Sequence, residues 1–163
     1  MVRCVKIFSD KGDIVEQAFW ALRNMSFDDY GQQSLLKANA LHEIYTAAKL
    51  HYSSPRVCEQ ACGAIGNLVY NPTKSSIPRK ECEGVEVLCN IMEMNIGLPT
   101  IIEKCASILY NLAANNSNCE KMKTTAIQKK IENVLSSDKL SPDSKVLVQA
   151  VVDRVKYSIP LLC

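Results

Sequence analysis

Cysteines and histidines are the residues of this sequence with the greatest potential for chemistry. The chain has 163 residues, with eight cysteines and two histidines among them. Cys58 and Cys62 are one helical turn apart, so both could face one metal ion or reactive centre. However, no Cys-x-x-Cys pair or nearby histidine set completes a zinc site, and no pattern supplies the third group that orients a Cys–His nucleophile. We therefore expect the cysteines to be small core residues, and we expect no metal, no cofactor and no enzymatic activity.

The composition describes a folded protein with almost balanced charge. The 19 Lys and Arg residues nearly match the 17 Asp and Glu residues, and 47% of the residues are hydrophobic. A nucleic-acid partner is not expected, because phosphate binding usually requires a clustered excess of basic residues. No apolar run approaches the roughly 18 residues of a membrane helix. The first ten residues do not resemble a signal peptide, so we expect a cytoplasmic protein, with the nucleus as a second location.

An internal repeat organises the rest of the sequence. The segment 14–26 (IVEQAFWALRNMS) returns at 57–69 as VCEQACGAIGNLV and at 101–113 as IIEKCASILYNLA. A glutamate and an asparagine keep their register in all three copies. A fourth copy is indicated by Pro142, which follows Pro55 and Pro99 at the same spacing of 43–44 residues. Apolar residues recur within each copy at i, i+3, i+4 and i+7, which predicts a helix.

Two shorter amphipathic segments precede each of the last three long ones, so the period predicts three helices per unit. Proline at the first helical position marks three of the long helices, and Asp13 with Glu16 predicts a capping box at the start of the first. We expect one domain over 1–163, divided into an incomplete unit 1–28, full units 29–72 and 73–116, and a C-terminal cap 117–163. Such units bury their apolar faces only by stacking, which predicts an all-α, right-handed superhelical solenoid of about four repeats.

The repeated string Glu-Gln-Ala-x-x-Ala-Leu/Ile-x-Asn-Leu/Met resembles the third helix of armadillo repeats of the importin-α and β-catenin type. HEAT repeats, with two helices and a similar period, are the alternative fold. The armadillo resemblance implies a non-catalytic adaptor or scaffold that holds an extended peptide of a partner protein in the concave groove lined by the third helices. Trp20 and Asn24 are similar to the Trp-x-x-x-Asn motif of nuclear-import receptors, which implies an alternative function as a cargo receptor for basic peptides. Gly63 and Ser107 depart from that motif, because they stand where tryptophan would be expected.

The residues predicted to contact a partner lie on one stripe of the long helices. They are Trp20, Asn24, Asn67, Asn111, Glu16, Glu59 and Glu103. Each group also has a structural interpretation, which the sequence leaves open. The asparagines could satisfy last-turn carbonyls, the glutamates could stabilise helix N-termini, and Trp20 could belong to the core.

The two ends of the repeat array are expected to differ. The last long helix has Val146 and Arg154 where glutamate and asparagine stood, as a capping repeat would. The first unit lacks its short helix, which leaves an apolar side open. This pattern indicates either a segment of a longer armadillo protein or an end that pairs with another surface, including a second copy of the chain.

Overall fold

The computed structural model describes residues 1–70 and 82–157, with only the backbone of Cys82. All regular elements in these two ranges are α-helices, which confirms the predicted all-α class. In chain order, the helices are α1 (Val2–Ile7), α2 (Gly12–Met25), α3 (Asp29–Lys37), α4 (Ala40–Ala48), α5 (Pro55–Val69), α6 (Cys82–Met94), α7 (Pro99–Leu112), α8 (Asn116–Met122), α9 (Thr125–Leu135) and α10 (Pro142–Tyr157). They belong to two compact units, Met1–Ile77 and Pro78–Cys163.

The first unit is organised around the packing of α2 against α5. On α2 the side chains of Val15, Phe19 and Leu22 are fully buried, at the three- and four-residue spacing of one helix face. The facing side of α5 is built from small and branched residues such as Ala61 and Ile65. Helix α4 packs on α5, and α1 packs on α2 and α4. The opposite faces of α2 and α5 remain on the surface of the unit.

The helices of the second unit pack in a similar way to those of the first. Helix α7 packs against α10, α6 packs on α7 and α9, and α8 packs on α6 and α9. Its core includes Ile102, Cys105 and Leu109 of α7 and Val148 and Val151 of α10.

Several helix boundaries in the second unit repeat those of the first at an offset of 87 residues. Helix α7 begins and ends 87 residues after α2, and α10 begins 87 residues after α5. The N-caps of α3 and α8, Asp28 and Asn115, are also 87 residues apart, and both side chains accept backbone N–H groups of the following turn. Residues of α2 and of the first turns of α3 and α5 can therefore be compared with the residues that lie 87 positions later.

The predicted helix starts are confirmed at Pro55, Pro99 and Pro142. The predicted capping box is wrong, because α2 begins at Gly12, its N-cap is Lys11, and this N-cap makes no side-chain hydrogen bond. Glu16 binds a different partner, described below. The predicted boundary at 72/73 and the last residues of the predicted cap, 158–163, lie outside the described residues.

Candidate functional site

Trp20 lies on the surface of the first unit. Its side chain is 53% exposed, although it follows the fully buried Phe19 on the same helix. The two residues point to different sides of α2, because neighbours in a helix are about 100° apart. The interpretation of Trp20 as a core residue is therefore wrong. A large, half-exposed indole is typical of a contact surface, since tryptophan is enriched at binding sites.

A shallow cavity adjoins this indole. It has a volume of about 180 Å³ and is lined by Glu16, Gln17, Trp20 and Gln60, so that α2 provides three of its residues and α5 provides one. We refer to it as the Trp20 cavity. The two glutamine amides offer N–H donors and C=O acceptors beside the apolar indole, which is a combination suited to a peptide backbone and one apolar side chain.

Arg23 and Gly63 close one side of the contact between α2 and α5. A Cβ atom at Gly63 would lie 2.6 Å from Cδ and 2.8 Å from Nε of Arg23, so only glycine lets the arginine side chain pass this close to α5. The Arg23 Nη1 group donates a hydrogen bond of 3.4 Å to Oε1 of Gln60. Sequence reasoning missed Arg23 and Gln60. The available signal was Gly63 itself, since glycine within a helix costs about 1 kcal/mol and usually has a packing reason.

Asn67 has a structural role in the first unit. Its Nδ2 group donates to the backbone carbonyl of Arg23 at 3.0 Å and to Oγ of Ser26 at 3.2 Å. Ser26 is fully buried and also donates to the Arg23 carbonyl, at 2.8 Å. The last-turn carbonyls of a helix lack partners within the helix. Asn67 of α5 supplies a hydrogen-bond donor for one such carbonyl of α2, that of Arg23.

The other two asparagines of the predicted row, Asn24 and Asn111, are exposed. Asn24 lies one helical turn after Trp20, and the two side chains share a face of α2. Asn111 belongs to α7, in the second unit. The sequence repeat thus places asparagine at three equivalent positions, and these residues have different environments.

The predicted glutamate row makes contacts between neighbouring long helices. Oε1 of Glu16 accepts from Nη2 of Arg56 at 2.8 Å and from Nε of the same arginine at 3.1 Å. In the second unit, Oε1 of Glu103 accepts from Oγ of the buried Ser144 at 3.3 Å. Both partners lie in the first turn of the following long helix. Glu59 is half-buried. Glu16 and Glu103 therefore join α2 to α5 and α7 to α10.

The two units divide the predicted site residues between them. The first unit contains five of them: Trp20, Asn24, Asn67, Glu16 and Glu59. Of these, Trp20 and Glu16 line the Trp20 cavity. Asn111 and Glu103 belong to the second. At the positions equivalent to Trp20 and Gly63, the second unit has Ser107 and Ala150.

Five cysteines of the described residues are buried, namely Cys58, Cys62, Cys89, Cys105 and Cys119, whereas Cys4 is half-buried. The thiol of Cys58 donates to the backbone carbonyls of His51 and Tyr52, both at 3.4 Å. The His51 ring faces elsewhere, since its Nε2 lies 2.8 Å from the carbonyl oxygen of Ser9 and must donate to it. Burial raises the pKa of the Cys89 thiol to about 12. In ranges 1–70 and 82–157, no group of three or more His, Cys, Asp or Glu side chains converges on a possible metal position.

Three lysines of the predicted cap, Lys121, Lys123 and Lys130, pair with glutamates. Nζ of Lys130 lies 2.7 Å from Glu93, and this hydrogen bond raises the lysine pKa. Lys123 pairs with Glu120 at 3.0 Å. Such pairs occur on a solvated surface of mixed charge.

Comparison with known proteins gives no relative from which a function could be transferred. No family model matches the chain, and no curated protein or solved structure matches it either. No helix within the described ranges is long and apolar enough to cross a membrane.

Proposed function

We propose that this protein is a non-catalytic adaptor or scaffold that holds an extended segment of a partner protein against the exposed face of α2 and α5. The observation that carries the proposal is the Trp20 cavity, where a half-exposed indole lies beside the side-chain amides of Gln17 and Gln60. An extended peptide presents alternating N–H and C=O groups, and side-chain amides can bind both. Asn24 adds a further exposed amide on the same face of α2.

The proposed architecture is an armadillo-like solenoid of about four repeats. Two features support it: the long helices recur at the sequence period, and the two units share several helix boundaries and have similar helix contacts. Each unit would hold two long helices packed side by side, α2 with α5 and α7 with α10. Repeat proteins of this type bind partners on extended surfaces made by equivalent helices. The proposed binding face is such a surface.

The test is to select peptides from a random-peptide display library on the full chain and to measure their affinity by fluorescence anisotropy. We expect the selected peptides to bind Trp20→Ala about tenfold more weakly than wild type, which corresponds to about 1.4 kcal/mol. Phe27→Ala is the matched control, because Phe27 is 86% exposed and does not line the cavity. Equal affinity for wild type and Trp20→Ala would contradict the proposal, as would equal losses in both variants.

A further inference from the structure

Glu16 is the charged residue among those that line the Trp20 cavity, and it already forms an ion pair with Arg56. The Glu16 side chain is 14% exposed, and its carboxylate is bound by two nitrogens of Arg56. The Arg56 side chain itself is 80% exposed, so its remaining N–H groups face solvent. A basic ligand side chain would therefore have to compete with Arg56 for Glu16. It would also meet the positive charge of Arg56 at the edge of the cavity.

Arg23 adds a second positive charge beside Gln60, one of the residues that line the cavity. Its guanidinium has the neutral Gln60 as hydrogen-bond partner, and no carboxylate of residues 1–70 or 82–157 lies within ion-pair distance of it. The position of Arg23 is restricted in two ways. Its carbonyl is bound by Ser26 and Asn67, and its side chain lies across Gly63. A guanidinium with a restricted position loses less entropy when it binds a planar carboxylate.

The second unit shows that the helix pair does not need these side chains. At the positions 87 residues after Trp20 and Arg23, the equivalent helix α7 has Ser107 and Tyr110. Tyr110 is covered by Arg154 of α10, whose guanidinium carbon lies 4.2 Å from the ring centroid. Helices α7 and α10 pack together without a tryptophan or a charged arginine on α7 at these positions. A helix pair of this kind therefore does not require the indole and guanidinium that the first unit has on α2.

We infer that the Trp20 cavity binds an acidic segment of the partner, in which an apolar side chain packs on Trp20 and a neighbouring Asp or Glu carboxylate pairs with Arg23. The inference rests on the proposed function and names the class of peptide that the site takes. Charge complementarity carries it, because Glu16 is neutralised by Arg56, while the partner that Arg23 has among the described residues, Gln60, is neutral. The Nε2 group of Gln60, whose oxygen accepts from Arg23, is placed to donate to the same ligand.

The experiment sorts one random-peptide display library on the wild-type chain and on Arg23→Gln. We expect peptides from wild type to be enriched in Asp or Glu next to an apolar residue, and we expect this enrichment to disappear on Arg23→Gln. A selected peptide and its Glu→Gln version are then compared by anisotropy. Wild type should lose about fivefold in affinity and Arg23→Gln less than about twofold, as for an ion pair close to the surface.

Control variants separate charge from folding. Arg3→Gln removes an exposed arginine of α1 and should leave the acidic enrichment intact. Gly63→Ala should reduce it, because the new Cβ would displace the Arg23 side chain while the charge stays in the protein. Helix content measured by circular dichroism must be equal in all four proteins.

The possible outcomes distinguish the two proposals. If wild type enriches no peptide, the proposed function fails together with the inference. If it enriches neutral or basic peptides whose binding depends on Trp20, only the inference is overturned. Acidic enrichment that persists unchanged on Arg23→Gln would also overturn it.

Discussion

Replacing Asn67 with alanine should destabilise the first unit, whereas the same change at Asn24 should not. Asn67 donates two hydrogen bonds, to the Arg23 carbonyl and to the buried Ser26 hydroxyl. Each such bond contributes about 0.5–1.5 kcal/mol, so their loss costs about 1–3 kcal/mol. Asn24 is exposed and occupies the equivalent position one long helix earlier. Alanine improves helix propensity by a similar amount at both sites, so the difference between the two variants isolates the hydrogen bonds.

Urea denaturation followed by tryptophan fluorescence measures this difference. Trp20 is the sole tryptophan of the chain and lies in the first unit, so its signal reports on the unit that contains both asparagines. With a denaturant slope of about 2 kcal/mol/M, a loss of about 2 kcal/mol lowers the midpoint by about 1 M. Asn24→Ala should stay within about 0.5 kcal/mol of wild type.

The double variant with Ser26→Ala tests the origin of the loss. Ser26 and Asn67 share the Arg23 carbonyl, so their effects should be less than additive. Equal midpoints for Asn67→Ala and Asn24→Ala would refute the structural role of Asn67. If Asn67→Ala instead weakened peptide binding with no change in midpoint, Asn67 would be a ligand contact.

Two further predictions concern close packing and a buried thiol. Gly31→Ala should cost at least about 2 kcal/mol by the same denaturation assay, because its Cβ would overlap the carbonyl oxygen of Met25. Gly12→Ala, whose Cβ would make ordinary contacts, is the control. Cys89 should resist iodoacetamide at pH 8 in the native protein and react after unfolding, while the half-buried Cys4 reacts in both states. Labelling of native Cys89 at pH 8 as fast as Cys4 would contradict its burial. Folding raises the Cys89 pKa from 9.0 to about 12, so the thiol ionises more readily in the unfolded chain, and its contribution makes the folded state less stable as pH rises above 9.

Local sequence signals identified most of the secondary structure. Proline followed by an apolar 3.6-residue period located the starts of α5, α7 and α10 to the residue. The same period placed Val57, Ala61 and Leu68 on the buried side of α5. These signals succeed because they depend on residues within one helix, whose geometry is fixed by its own backbone.

Roles that depend on a second helix were not predictable from one repeat. Asn24 and Asn67 have similar sequence contexts, but only Asn67 has a preceding long helix with Ser26 and an open carbonyl beside it. The local sequence predicts that Glu16 caps its own helix, whereas its partner in the structure is Arg56, 40 residues away. These contacts join residues that are about one repeat apart in the sequence. A search for motifs within a single copy of the repeat does not examine such pairs.

Comparison of equivalent turns separates the requirements of the fold from the remaining surface. Phe27 and Asp28 lie in the turn between α2 and α3, and Tyr30 lies in the first turn of α3. The equivalent positions of the second unit, before and at the start of α8, have alanine, asparagine and serine. Only the middle residue performs the same task in both, since Asp28 and Asn115 each cap the helix that follows. The exposed rings of Phe27 and Tyr30 are therefore not required by the turn. The same comparison distinguishes Trp20 from Ser107 on the long helices, and it indicates that the two units have a shared framework with different surfaces. A partner that recognises this protein through side chains should therefore discriminate between the two units, although their backbone elements correspond.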